Sequence, residues 1–202
     1  MQGRASAFHA RSVPDDPAPS LWWFEVEQPA LVLGSSQPLT DVDQPACDRL
    51  GVEVVRRHSG GGAVLLVPGD VFWFDVVIPR GHARWDDDVS RAAWWLGDAV
   101  RTTLGGTGLE VHRGAMRTTP WSRQVCFAGL GPGELTRSGR KVLGLSQRRT
   151  KSWIRYQCAI YRRCDPAALL GLLAPPAPSV DELESLVDVG SLSLDELLNA
   201  LR

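Results

Sequence analysis

Long apolar runs and a strong charge imbalance are both missing from this chain of 202 residues. The chain contains no run of the roughly 18 consecutive apolar residues that a membrane-spanning helix requires. Residues 1–20 lack the apolar core of a secretion signal. The formal net charge of -1 argues against a dedicated nucleic-acid-binding protein. We therefore expect a cytoplasmic globular protein whose partners include neither nucleic acid nor membrane.

Paired cysteines are also missing. The chain has four cysteines, but none form a CxxC pair, so a zinc site or thioredoxin-type chemistry has little support. In a reduced setting the default interpretation of each cysteine is a small buried hydrophobic residue. We predict no protein-held metal site. The cysteines are Cys47, Cys126, Cys158 and Cys164.

Lysine is scarce: of 22 basic residues, Lys141 and Lys151 are lysines and the others are arginines. A GC-rich genome would explain the abundance of arginine. A lysine kept in such a chain can mark a position that needs a compact point charge, which the planar fork of arginine does not provide.

Short β-rich runs bounded by turn residues predict a sheet, and the order of elements differs from a strict βαβ alternation. We therefore predict one α/β (α+β) domain over 1–202 with a mixed, largely antiparallel sheet. Strands are predicted within 21–27, 30–37, 52–57, 63–79, 109–112, 124–129, 133–139, 140–149 and 152–163.

Helices are predicted from apolar periodicity and capping residues. Residues 1–20 are expected to be a loose lead-in, and the helices after 175 are too short to form an accessory domain. Helices are predicted over 41–51, 84–104 and 165–173, and after the capping boxes that open at Ser179 and Ser193.

The stretch RRHSGGGAV (56–64) places two arginines and three glycines before a strand. Three glycines allow either a tight turn or several backbone N–H groups facing an anion, with Arg56 and Arg57 adding charge. Residue patterns alone leave both alternatives open. Neither the GK[ST] of a Walker loop nor a GxGxxG spacing is present.

This stretch resembles the RRxSGGGAV motif of the lipoate-protein ligase and octanoyltransferase catalytic domain. GRKVLGLSQRR (139–149) resembles that family's GRKIxGSAQRR, which carries its essential lysine. Two weaker blocks, PALVLGSSQP (29–38) and VCFAGLGPGELT (125–136), also agree. All four occur in the family's order.

The resemblance implies a sheet flanked by helices, as in biotin protein ligases. It also implies a ligase that attaches a lipoyl or octanoyl group to a carrier lysine through an acyl-adenylate, using ATP with Mg. Lys141 would contact the acyl carbonyl and the phosphate, where a point charge stabilises a developing oxyanion. The acyl or adenylate site would be lined by Arg57, Gly61, Gly62, Ala63, Val64, Leu65 and Gly144.

Two alternatives stay open. Cys126 could carry the acyl group as a thioester in an ATP-independent octanoyl or lipoyl transferase. Leu66 occupies the position where the family commonly has a histidine, which leaves room for a non-catalytic acyl- or adenylate-binding relative. The expected partners are lipoyl carrier domains or acyl carrier protein, and possibly a separate accessory protein.

Overall fold

The computed structural model describes residues 1–201, and within that range ten strands form two sheets. The strands are β1 (Gln2–Gly3), β2 (Ser20–Val26), β3 (Ala30–Leu33), β4 (Glu53–Arg56), β5 (Val64–Leu66), β6 (Val71–Pro79), β7 (Leu109–Val111), β8 (Leu135–Arg137), β9 (Arg140–Arg149) and β10 (Trp153–Tyr161). The α-helices are α1 (Ala5–Ala10), α2 (Gln44–Leu50), α3 (Trp94–Thr103), α4 (Pro166–Leu170), α5 (Val180–Glu184) and α6 (Leu194–Leu201).

The larger sheet has the strand order β1-β2-β6-β10-β9-β8-β7, and its pairings are antiparallel except for β1 with β2. The smaller sheet has the order β4-β3-β5, with β3 parallel to β4 and antiparallel to β5. The predicted fold class, a mixed and largely antiparallel sheet flanked by helices, is confirmed.

The larger sheet is covered on both faces, which explains why residues 72–78 of β6 are all buried and, apart from Asp75, apolar. Successive side chains of a strand point to opposite faces. Accordingly, Trp73 packs in a core with the small sheet, including Leu31. Its neighbour Phe74 packs in a second core with Leu96 of α3 and Leu197 of α6.

Helix ends follow the capping residues seen in the sequence. Asp43 accepts a hydrogen bond from the backbone N–H of Ala46, and α2 ends at Gly51, which has a left-handed φ of 65°. Ser179 and Glu182 form the predicted capping box of α5. The helix predicted over 165–173 is shorter than expected, because α4 ends at Leu170.

The long helix predicted over 84–104 is wrong in its first half, since α3 begins at Trp94. The side chain of Asp86 accepts from the N–H of Asp88, and Asp88 accepts from that of Ser90, both at 2.8 Å. Such local side-chain bonds compete with helical backbone bonding. The acidic run therefore forms consecutive turns that precede the helix.

The loose lead-in expected over 1–20 is also wrong, because it contains α1. Phe8 stacks on Phe24 with ring centroids 4.6 Å apart. The guanidinium of Arg155 donates to the carbonyls of Phe8 (3.2 Å) and Arg11 (2.9 Å), which satisfies the carbonyl end of this helix. The helix is thereby fixed over the edge of a cavity between the two sheets.

Candidate active site

The three glycines bring two segments of backbone into contact. Ala63 donates its N–H to the carbonyl of Gln124 at 2.8 Å, and Cys126 donates to the carbonyl of Ala63 at 3.0 Å. A Cβ on Gly62 would lie 2.5 Å from the backbone nitrogen of Val125, so only glycine fits there. The glycines therefore allow close approach of the protein's own backbone, and that approach places Cys126 beside the loop.

Both arginines before the glycines are used inside the protein. The guanidinium of Arg57 is buried and donates to the carbonyls of Gly60 (2.7 Å), Gly62 (2.9 Å) and Val32 (3.1 Å). Arg56 donates to the carbonyls of Gly34 and other residues of the neighbouring loop. The sequence suggested that these charges meet an anionic ligand, whereas here they hold the shape of the glycine loop.

A cavity lies between the two sheets, and we call it the Cys126 cavity. Its volume is about 50 Å³, and its walls are mostly apolar. The predicted site residues Arg57, Val64 and Gly144 line it, together with Leu66 and Phe127. Leu66, which the resemblance aligned with a histidine, is therefore part of the cavity wall.

Several of the predicted site residues do not line the Cys126 cavity, and Lys141 is one of them, since it lines a different cavity. Because side chains alternate along β5 and its approach, Ala63 and Leu65 line a separate apolar cavity beside Tyr161 and Cys164. Gly61 lies on the loop side, where an added Cβ would be 3.8 Å from the Cys126 sulfur. The predicted site residues are therefore divided between the Cys126 cavity, which Arg57, Val64 and Gly144 line, and other surfaces.

Cys126 differs from the other cysteines in its surroundings. It is partly exposed and lines the cavity that bears its name. Cys47 and Cys158 are buried, and burial, assisted by the Asp75 carboxylate, raises the pKa of Cys158 well above its usual value. Cys164 is partly exposed, but burial also raises its pKa to about 11. Cys126 is therefore the cysteine whose position suits nucleophilic chemistry in this cavity.

The segment that carries Cys126 was predicted as a strand, but residues 126–128 form a 3-10 turn. The ammonium of Lys141 explains this shape. Its Nζ donates to the carbonyls of Cys126 and Gly129, each at 2.9 Å. A cation that bonds two carbonyls of a turn stabilises that turn electrostatically. Lys141 therefore positions Cys126.

Glu134 completes this cluster and was missed by the sequence reasoning. Its Oε1 lies 2.8 Å from the Lys141 Nζ, and its two oxygens accept from the N–H groups of Leu145 and Gly131. Both charged side chains are almost fully buried. A lone acidic residue in GELT (133–136), close before the lysine block, was the available signal.

His9 was also missed, because it belongs to the segment expected to be loose. It lines the Cys126 cavity and stacks on Trp73 with centroids 4.6 Å apart. Burial, and then the positive charges of Arg57 and Arg155, lower the pKa of His9 to about 3. His9 is therefore a neutral imidazole at neutral pH.

Cys126 thus lies between a glycine loop and the buried Lys141, at the wall of a narrow, mostly apolar cavity between the two sheets. The chain belongs to the lipoyl protein ligase A/B catalytic-domain family, whose model matches residues 6–201. The prediction of this family is confirmed.

Relatives in sequence are octanoyltransferases. The chain is 31% identical over 157 residues to octanoyltransferase LipM of Carboxydothermus hydrogenoformans, covering 77% of this chain and 58% of that protein. It is 26% identical over 190 residues to LipM of Kyrpidia tusciae, covering 90% and 69%. The chain thus spans little more than half the length of the first of these relatives.

Solved structures confirm the fold. The lipoate protein ligase of a bi-partite system from Thermoplasma acidophilum has a TM-score of 0.69 at 20% identity, over 96% of this chain and 72% of that one. A lipoate-protein ligase A bound with ATP has a TM-score of 0.65 at 22% identity, over 97% and 74%.

Across the described residues, no helix has the length and apolar character needed to cross a membrane. In the same residues, no three or more His, Cys, Asp or Glu side chains are grouped closely enough to hold a metal ion.

Proposed function

We propose that this chain transfers a medium-chain acyl group of the octanoyl or lipoyl type from a thioester donor to a lysine of a carrier domain. The acyl group would be held in between as a thioester on Cys126. The observation that carries this proposal is the partly exposed Cys126 thiol on the wall of a narrow, largely apolar cavity. The name octanoyltransferase, borne by the relatives in sequence, supports the same assignment.

The reaction has two steps. The Cys126 thiolate attacks the carbonyl carbon of the donor thioester, a new S–C bond forms, and the donor's C–S bond breaks. The donor leaves as a thiol with the proton that Cys126 gave up. The neutral amine of the acceptor lysine then attacks the carbonyl carbon of the enzyme thioester, an amide bond forms, the bond between that carbon and the Cys126 sulfur breaks, and the proton lost from nitrogen returns to the sulfur.

The chain's own residues prepare these steps. Gly62 and Ala63 fix the backbone of Cys126 from one side, and the Lys141 ammonium fixes it from the other. The same ammonium holds a positive charge at the turn that carries Cys126, where it would stabilise the negative charge that develops on the substrate's carbonyl oxygen in each tetrahedral intermediate. The walls of the Cys126 cavity exclude water from the acyl chain.

Adenylate chemistry would need residues that can hold ATP. The two cations that the sequence assigned to the acyl-phosphate, Arg57 and Lys141, both donate to backbone carbonyls, and Lys141 is also paired with Glu134. The cluster does not fit a triphosphate unless these bonds are exchanged. The thioester route is therefore the better supported of the two, and ATP-dependent ligation is the alternative to be tested.

The test is intact-mass analysis of the protein with octanoyl-loaded acyl carrier protein and without ATP. We expect one octanoyl adduct, which moves to an apo lipoyl domain when that domain is added. Cys126→Ser should abolish the adduct, since a serine hydroxyl is barely ionised near neutral pH. Cys164→Ser is the matched control and should keep it, because Cys164 lines the separate cavity.

Acylation of the lipoyl domain by Cys126→Ser at the wild-type rate would refute the thioester. Acyl transfer that requires ATP and free lipoate or octanoate would instead establish the ligase. Absence of any mass gain under both conditions would refute acyl transfer by this chain.

A further inference from the structure

One region of the Cys126 cavity is polar, although its remaining walls are mostly apolar. Ser146 and Gln157 are paired across β9 and β10 and line this region together with His9. Ser59, the residue before the glycines, donates its hydroxyl to the Gln157 Oε1 at 2.9 Å and lies 2.9 Å from the Ser146 hydroxyl. A wall built only to hold a plain alkyl chain has no need of this hydrogen-bonded group.

The network determines which nitrogen of His9 carries the proton. Because the Gln157 oxygen accepts from Ser59, its amide nitrogen faces the His9 Nδ1, at 3.3 Å. The amide nitrogen is a donor, so Nδ1 is the acceptor, and the neutral imidazole carries its proton on Nε2. Gln157 therefore leaves His9 with an N–H donor on the opposite side of the ring.

That donor has no partner within residues 1–201. His9 is 6% exposed, and its Nε2 is buried without a hydrogen bond from the described part of the chain. A buried polar group left unpaired costs free energy, and native proteins usually provide it with a partner. Since His9 lines the Cys126 cavity, a ligand in that cavity is the natural source of an acceptor.

The distance of the polar region from the Cys126 end of the cavity determines which carbon of an acyl chain would carry the acceptor. Phe127, the neighbour of Cys126, packs on Gly144 of β9. Gly144 pairs with Ala159 of β10, and the next pair facing the same side, Ser146 with Gln157, lies two residues further along these strands. Two residues of a strand span roughly 7 Å. Five or six C–C bonds of roughly 1.5 Å, in a zigzag chain, cover about that distance.

We propose that the acyl group selected by this chain is an eight-carbon chain with a hydrogen-bond acceptor on its last three carbons, which the His9 Nε2–H binds. Such an acceptor is a keto or ether oxygen, or more weakly the sulfur of a cyclic disulfide. An unsubstituted octanoyl chain leaves the N–H unpaired and binds less well. This selectivity rests on the function proposed above, because it assumes that the acyl chain enters the Cys126 cavity.

The first experiment measures binding without chemistry. Calorimetry with octanoate, 7-oxo-octanoate and lipoate gives three dissociation constants for the wild-type protein. We expect 7-oxo-octanoate to bind about tenfold more tightly than octanoate, the effect of one buried hydrogen bond, with lipoate between them. Equal affinities for the three acids, or no binding of any of them, would overturn the proposal.

Two variants assign the preference to the imidazole. His9→Phe keeps an aromatic ring against Trp73 and removes the donor, so the ratio of the two dissociation constants should fall to about one. His9→Gln retains a donor and should keep a preference for the keto acid. A ratio is insensitive to the fraction of folded protein, and an unchanged ratio in His9→Phe would overturn the role of His9.

The second experiment separates this proposal from the proposed function. Octanoyl and 7-oxo-octanoyl thioesters of N-acetylcysteamine compete for Cys126, and intact mass gives the ratio of the two adducts. Adducts in equal amounts would overturn the selectivity and leave acyl transfer standing. A binding preference without either adduct would support the selectivity and overturn the thioester.

Discussion

A single methyl group on Gly62 tests how the glycine loop positions Cys126. In Gly62→Ala the new Cβ would lie 2.5 Å from the nitrogen and 2.6 Å from the carbonyl carbon of Val125. Both are backbone atoms, which cannot rotate away as a flexible side chain can. The loop and residues 124–126 must therefore separate.

The cost of Gly62→Ala follows from the contacts that this separation breaks. Overpacking costs about 1–3 kcal/mol. The hydrogen bonds of Ala63 with Gln124 and Cys126 are each worth about 0.5–1.5 kcal/mol. We expect the free energy of unfolding to fall by about 2–6 kcal/mol and the acylation rate of Cys126 to fall at least tenfold, since the thiol loses its backbone support.

Gly60→Ala is the matched control in the same loop. An added Cβ at Gly60 meets no atom within 4 Å, so its free energy of unfolding should change by no more than about 0.5 kcal/mol. Urea denaturation followed by tryptophan fluorescence measures stability, and intact mass measures acylation. If Gly62→Ala matches the wild type in both, or if Gly60→Ala is equally damaging, the close approach of the two segments is not what positions Cys126.

Two further predictions concern buried charge. Because the folded pKa of His9 is about 3 against 6.5 in an unfolded chain, the unfolded state takes up the proton first as the pH falls. Stability is therefore retained above pH 6.5 and lost below it, by roughly 1–2 kcal/mol at pH 5.5. Burial raises the pKa of Asp75 to about 6, and this has the opposite effect on stability as the pH falls. The contribution of His9 is therefore measured as the difference in urea midpoint between the wild type and His9→Gln from pH 7 to 5. An equal pH dependence of the two midpoints would contradict the prediction. Lys141→Met leaves Glu134 buried without its cation, so the free energy of unfolding should fall by about 3–5 kcal/mol and the acylation rate should also fall. The exposed control Lys151→Met should match the wild type in the same two assays. An unaltered acylation rate in Lys141→Met would contradict the positioning role of the lysine.

Most strands and helices could be predicted from the sequence, because they depend on patterns among neighbouring residues. The run 140–149 was predicted as one strand, and β9 has those bounds. Strand propensity, glycine at turns and capping residues act over a few neighbours, so they predict elements without knowledge of packing. The failure at 84–104 has the same origin, because apolar periodicity indicated a helix where Asp86 and Asp88 bond to nearby N–H groups.

The candidate site could be predicted from the sequence only in part, because its polar contacts join distant parts of the chain. The motifs supplied Cys126, Lys141 and the glycines as candidates, but no local pattern pairs Lys141 with Glu134 across a strand turn. His9 reaches Gln157 over a separation of 148 residues. A short helix with one aromatic residue has almost no periodicity, so only the tertiary contacts show that His9 enters the cavity.

The two cations next to the site act on the two segments that meet at Cys126. Arg57 holds the loop through the carbonyls of Gly60 and Gly62, and Lys141 holds the turn through those of Cys126 and Gly129. Each bond to a charged donor is worth about 1.5–3 kcal/mol, and the carbonyl it leaves must find another partner.

A phosphate that recruited these cations would have to replace several such bonds and would loosen the turn that carries the thiol. A thioester donor would make no such demand, because the single negative charge on its carbonyl oxygen does not require Lys141 to leave its carbonyl partners. The bonds that hold the Cys126 turn in place are thus also the ones that a bound phosphate would break, and for this reason the geometry favours the proposed thioester route over an adenylate.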